Sequence, residues 1–496
     1  MWEFRRLQGL FMAVRSPQQT VPAASAGSPG SAHAASGETS GGTNSPALPQ
    51  PSLSVFDAIA IMVGLVVGIG IFRTPSIVAG NVESELAFIL VWVAGGAITL
   101  IGALCYAELS AAHPDAGGEY HFLSRAYGKP LAMMFGWARC TVIQTGAIAA
   151  VAFMLGDYAA QLLPIGPYGS TIYAALSIVI LTAVNVIGTT QGKNLQLAMT
   201  FIEIGAIALI IGFGFFGSPE VAPAPALPPE SAAMGMAMIF VLLTYGGWNE
   251  AAYLTGELKN PSRNIAKVLV TGTAILVTLY VAANWALLSI LGLEGLRGSD
   301  AVATEMMRQV AGPAGATVVT VAIVVAALST LNATIFTGAR VFYSMARDIT
   351  LFPRVGEWNA RGRTPANGLL MQAGVSLALV ALGAATPDGF KAMVDYTAPV
   401  FWGFLLLVAF SLFVLRRREP HRQLTYRVPL YPLTPALFCL TCLYMLHASL
   451  AYTGSAALIG VAVLAAGLPL LWFQRKDHPP APVAQTATTP SPTLLD

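Results

Sequence analysis

Few side chains in these 496 residues stand where their type and spacing could do chemistry. Glu203 lies deep in the apolar run QLAMTFIEIGAIAL. A carboxylate inside such a run is costly and is by default a functional candidate. It can act as a proton acceptor, pair structurally with Arg139, face a water-filled vestibule or contact the substrate directly. Two glycine pairs form the second set. Gly68 and Gly70 stand two apart in VVGIGIFRTP (66–75), with Pro75 beyond, and Gly246 and Gly247 are adjacent in LLTYGGWNE (242–250). Glycine costs about 1 kcal/mol in a helix interior relative to alanine, and it lets a chain unwind. Close helix packing explains either pair alone equally well. Together they point to unwound backbone, with N–H groups for a carboxylate and C=O groups for an ammonium. A small zwitterion fits both.

Catalytic and metal chemistry find no support. No nucleophile converges with a base, and no H-E-x-x-H pair occurs. The six His are scattered. Cys439 and Cys442 have C-x-x-C spacing but no Cys or His partner nearby in sequence, and Cys105 and Cys140 also lie in apolar runs. These cysteines read as packing residues, and a disulfide framework is excluded. The expectation is therefore no enzyme, no cofactor, no metal and no nucleic-acid partner.

The elements that must position these residues follow from composition. Charged residues make up 10% of the chain, against roughly 25% in soluble domains. Hydrophobic residues make up 55%, and mean hydropathy is +0.66. Lipid must cover such a surface. A spanning helix needs about 20 mostly apolar residues, and twelve such runs are found: 55–80, 86–112, 131–163, 171–188, 196–217, 234–256, 267–292, 314–346, 367–386, 393–415, 433–452 and 455–473. Helices are the default, because lipid offers backbone groups no partner. The alternating segments of an outer-membrane barrel are absent.

Orientation follows from Lys and Arg in the connections. Sixteen, between Arg125 and Arg427, fall in loops on one side, against Arg297, Arg308 and Lys391 on the other. That segregation predicts both termini in the cytoplasm of a multi-pass cell-membrane (inner or plasma membrane) protein. Residues 1–51 and 477–496, poor in large apolar side chains, are expected to be disordered cytoplasmic tails. Without an apolar h-region the N-terminus is no signal peptide, and Met12 is an alternative start.

Both broken spans open a block of five if spans 1–5 and 6–10 are repeats. An odd number of spans inverts the second block. Paired interruptions at matching places in two halves then mark a midplane site. The expected organisation is all-α: a ten-span core over 52–415, with repeats 52–217 and 232–415, and then a basic loop and two helices over 416–476.

Four segments carry a family resemblance. VGLVVGIGIFRTPS (63–76), YAELSAAHPDAGGEYHFLSRAYG (106–128), TYGGWNEAAYLTGELKNPSRNIAKVL (244–269) and NATIFTGARVFYSMARD (332–348) resemble, in order, segments of the amino acid–polyamine–organocation superfamily, and the third is similar to its L-type amino acid transporter-like branch. The resemblance implies a ten-helix inverted-repeat core with discontinuous helices 1 and 6 and two added helices. It implies secondary active transport of amino acids by alternating access. Carried over, the substrate carboxylate meets the N–H groups of Ile69, Gly70 and Ile71, beside Gly68. The ammonium meets carbonyls near Val66 and Leu243, in a site completed by Thr244 and Gly246. Trp248 and Asn249 match a Trp-Asn pair in which Asn braces the unwound segment.

This sequence departs from the pattern in places. Ile69 replaces a frequent Ser, Leu243 an aromatic gate, and Glu203 the Lys of a Q-x-x-x-T-x-x-K pattern that starts here at Gln196 and Thr200. A carboxylate cannot stand in for a sodium ion as that Lys is thought to do, so a proton is the candidate coupling ion. Sodium coupling through Ser329 and Thr330, a polyamine or organic-amine carrier, a channel and an amino-acid sensor are the alternatives.

Overall fold

The computed structural model describes residues 51–68, 70–216, 234–299, 301–359, 361–386, 389–452 and 454–473. Ile69 and the expected tails lie outside the described residues, apart from Pro51. Helix α1 (Val55–Val66) starts at a reciprocal cap, where Asp57 N–H donates to Ser54 Oγ at 3.1 Å and Ser54 N–H donates to Asp57 Oδ2 at 3.0 Å. Helix α2 (Gly70–Gly80) continues after a break, bent by 45° from α1. Then come α3 (Glu85–Ala112), α4 (Glu119–Tyr127), α5 (Lys129–Ala138), a π turn (Arg139–Ile143) and α6 (Gln144–Leu162). Helices α7 (Gly169–Ile187), α8 (Thr189–Phe216) and α9 (Met234–Thr244) follow, and a 3-10 segment (Trp248–Gly256) succeeds α9.

The second half comprises α10 (Pro261–Arg297), α11 (Val302–Asp348), α12 (Ala366–Gly383), α13 (Gly389–Arg418), α14 (Leu433–Tyr452) and α15 (Gly454–Ala465), with a final 3-10 turn (Leu468–Phe473). Gly292 (φ 64°) and Gly312 (φ 67°) interrupt α10 and α11. These breaks fall at the expected end of span seven and start of span eight.

Among the described residues nine helices are long and apolar enough to cross a membrane, or ten when the bent α1–α2 pair counts as one. The sixth and twelfth expected spans are each divided into shorter pieces. No strand is present among the described residues, only isolated bridges such as Leu53 with Leu258.

The outer faces of α3, α7 and α8 expose Leu90, Leu176, Ile180 and Phe201. An apolar surface of that kind suits lipid rather than water. Inside, α1 is enclosed by α8, α10, α11 and the 248–256 segment, while α2 packs on α9, α10 and α11. The broken helices are thus the centre of the bundle.

Candidate functional site

The two breaks face each other. Val67 N–H makes the last α1 bond, to Val63 O at 2.7 Å, and ψ of 72° at Val67 takes the chain out of the helix. Val66 O accepts from Gly68 N–H at 2.7 Å and from the Tyr280 hydroxyl at 2.6 Å. Helix α2 restarts at Gly70, so its first N–H groups have no partner inside the helix. On the other side α9 stops at Thr244, Gly246 N–H donates to Leu243 O at 3.0 Å, and Gly247 adopts φ 103°.

Close approach explains the glycines. A Cβ on Gly68 would lie 2.5 Å from Thr330 Oγ1, and one on Gly247 would lie 2.4 Å from Leu65 Cδ2. Gly70 lies against Thr244, whose hydroxyl donates to Thr74 Oγ1 at 2.8 Å. Val66, Gly68, Gly70, Thr244, Gly246 and Gly247 thus gather at one place. Ile71 is buried beside them, and Leu243 is 43% exposed. Trp248 turns to Tyr106 and Phe438, with ring centroids at 5.0 and 5.9 Å. Asn249 donates to Glu119 Oε1 at 3.0 Å. Both of those side chains brace the segment after the break.

The positive end of α2 therefore meets the negative ends of α1 and α9. Each helix end is worth up to about 2 kcal/mol to a charge of opposite sign in a partly buried setting.

Below the break α8 presents a polar face to α1. Gln196 Nε2 donates to Ser329 Oγ at 2.7 Å, Ser329 Oγ to Gly64 O at 3.2 Å, and Thr200 Oγ1 to Ala60 O at 3.2 Å. Asn332 and Asn185 extend this chain of amides, at 2.9 and 2.8 Å. Glu203 stands one turn farther along α8, with no exposed surface, and neither carboxylate oxygen has a hydrogen-bond partner. The Ser329 hydroxyl and Tyr280 are its interacting neighbours. Thr330 Oγ1 is likewise buried and unpartnered.

Glu203 makes no ion pair with Arg139 in this structure. Arg139 opens the π turn and is held elsewhere: Nη2 lies 2.5 Å from Glu250 Oε1 and Nη1 lies 3.4 Å from Glu119 Oε2. Tyr106 and Tyr253 both donate to Glu119 at 2.5 Å, and Thr337 donates to Glu250 at 2.8 Å. This buried cluster joins α3, α4, the π turn, the 248–256 segment and α11. Sequence reading missed this cluster altogether. Its one sequence signal is an arginine inside an apolar run. Among the described residues no three His, Cys, Asp or Glu side chains gather where a metal ion could be held.

A family model described as amino acid permease matches residues 53–473. The serine/threonine exchanger SteT of Bacillus subtilis (strain 168) is 27% identical over 425 residues, covering 84% of this chain and 95% of that protein. The b(0,+)-type amino acid transporter 1 of Mus musculus is 27% identical over 409 residues, with 80% and 82% covered. The large neutral amino acids transporter small subunit 2 of Mus musculus is 27% identical over 461 residues, with 90% and 85% covered.

Proposed function

The chain belongs to the amino acid permease family, and on that premise we propose that it is a secondary active carrier moving amino acids across the cell membrane by alternating access. It is a multi-pass membrane protein of a transporter family, not an enzyme. The proposed organisation has twelve spans. The core over 52–415 is made of inverted repeats (52–217 and 232–415), followed by a basic loop and two helices (416–476), with both termini cytoplasmic. The segregation of Lys and Arg and the position of the two breaks support it.

One observation carries the substrate reading: a helix N-terminus at Gly70 opposes helix C-termini at Val66 and Thr244. The N–H groups of Ile69, Gly70 and Ile71 would receive the carboxylate, and carbonyls near Val66 and Leu243 the ammonium. Gly68 and Gly246 supply the freedom to unwind. Leu243 would set the size of the side chain admitted, and Trp248 and Asn249 would anchor the moving segment.

Glu203 is the proposed coupling residue. Acids in membrane helices serve as proton relays, and Glu203, with no exposed surface, would carry the proton. Movement of α1 away from α8 would admit water, and the proton could then leave. The unpartnered Thr330 hydroxyl beside Gly68 favours a second reading, sodium, which the same experiment separates.

Purified protein in proteoliposomes would be assayed for labelled amino-acid uptake against a panel of competitors, with a pH gradient, a sodium gradient or neither. Acid-outside vesicles should concentrate substrate, and Glu203→Gln should lose that stimulation while still exchanging labelled for unlabelled substrate. Glu203→Gln with undiminished pH-driven uptake would refute the coupling role. Stimulation by sodium alone would favour the second reading.

A further inference from the structure

The ends of α3 and α13 and the loop after α13 enclose a cavity of ≈ 210 Å³, many times the roughly 10–15 Å³ that one water needs. Arg416, Arg422 and Arg427 line it, with Glu108, Glu419 and His113. Both carboxylates are already engaged. Glu108 takes Arg416 through Nε at 2.6 Å and Nη2 at 2.5 Å, and accepts Val428 N–H at 2.6 Å. Glu419 takes Arg125 at 2.6 Å and Arg422 at 2.9 Å. Arg427 is exposed and has no ion-pair or hydrogen-bond partner among the described residues. Burial, and after it the Arg422 guanidinium, hold the His113 imidazole at about 3, so it adds no charge near neutral pH. The cavity is left with unspent positive charge.

Its wall continues onto an exposed apolar surface. The Arg416 guanidinium lies 3.9 Å above the Tyr431 ring, Tyr431 lies 5.6 Å from Phe413, and Phe413 lies 5.6 Å from Phe410, which is 50% exposed. Leu430 on the same loop and Leu433 at the start of α14 add large exposed apolar surface. A cationic pocket joined to an apolar, aromatic track has the two halves of a phospholipid site. Basic pockets between helices on the cytoplasmic side take anionic headgroups.

We propose that this cavity binds the phosphate of an anionic phospholipid, with Arg427 and Arg422 as its ligands and an acyl chain along Tyr431, Phe413 and Phe410. That the lipid comes from the cytoplasmic leaflet rests on the proposed orientation, whereas the binding itself does not.

Thermal unfolding of the purified protein tests this without reference to sidedness or transport. Short-chain phosphatidylglycerol should raise Tm, whereas phosphatidylcholine of equal chain length and inorganic phosphate at equal concentration should not. Arg427→Ala should weaken the phosphatidylglycerol response about fivefold, Arg427→Glu should abolish it, and Arg427→Lys should restore most of it. None of the three should change Tm in the absence of lipid, because Arg427 holds no partner. Equal stabilisation by phosphatidylcholine, or a full response in Arg427→Glu, would overturn the proposal. An Arg427-dependent response to inorganic phosphate alone would overturn the lipid and assign a soluble phosphate instead.

Discussion

Replacing Arg139 with methionine takes the guanidinium away from two buried carboxylates, Glu119 and Glu250. Side-chain exposure is 1% for Arg139, 3% for Glu119 and 10% for Glu250, so water cannot replace the lost partner. Breaking a buried pair from one side costs about 3–5 kcal/mol. Tyr106, Tyr253 and Asn249 still donate to Glu119, and Thr337 still donates to Glu250. The loss should therefore fall near the lower bound, about 3 kcal/mol. Glu250→Gln keeps the Glu119 contact and should lose about 1.5–3 kcal/mol, the worth of a hydrogen bond to a charged group.

The double variant Arg139→Met with Glu250→Gln should cost less than the sum of its single changes, because Glu250 then leaves no charge stripped of Arg139. Denaturant unfolding in mixed micelles gives all four free energies. A cost below about 1 kcal/mol for Arg139→Met, as for an exposed pair, would show that the cluster is wet and that this reasoning fails.

Gly68→Ala places a methyl 2.5 Å from Thr330 Oγ1 and should cost about 1–3 kcal/mol by overpacking. Transport rate and Tm should fall together, and Thr330→Ala in the same chain should recover both. Gly247→Ala meets Leu65 Cδ2 at 2.4 Å with φ of 103°, and the backbone conformation adds about 1–2 kcal/mol. Leu65→Ala should therefore rescue its Tm only in part. Leu243→Phe alters a side chain that is 43% exposed, so Tm should hold while competition by bulky amino acids weakens relative to small ones.

The fold was legible wherever lipid dictates the pattern. Apolar runs announce helices because the bilayer fixes their length, and nine of them, or ten with the bent α1–α2 pair, are helices long and apolar enough to span among the described residues. The breaks at Gly68 and Gly247 were legible too, since only glycine accepts such contacts. The segment after Gly247 was harder: nothing in WNEAAYLTG distinguishes a 3-10 helix from an α-helix. Glu203 was visible as an isolated acid, but its complete burial was not. Arg139 could not be matched to its acids, because they lie 20 and 111 residues away in the chain. Distant pairings of this kind belong to tertiary packing, and no local spacing encodes them.

Counterflow tests the central claim most directly. Vesicles containing purified protein are loaded with an unlabelled amino acid and diluted into a trace of the labelled one, with no ion gradient imposed. A carrier that exposes one site alternately to each side should take up label transiently above its external concentration, and Gly247→Ala should slow that overshoot. A folded protein that only equilibrates the label, or ignores every amino acid tried, would contradict the account.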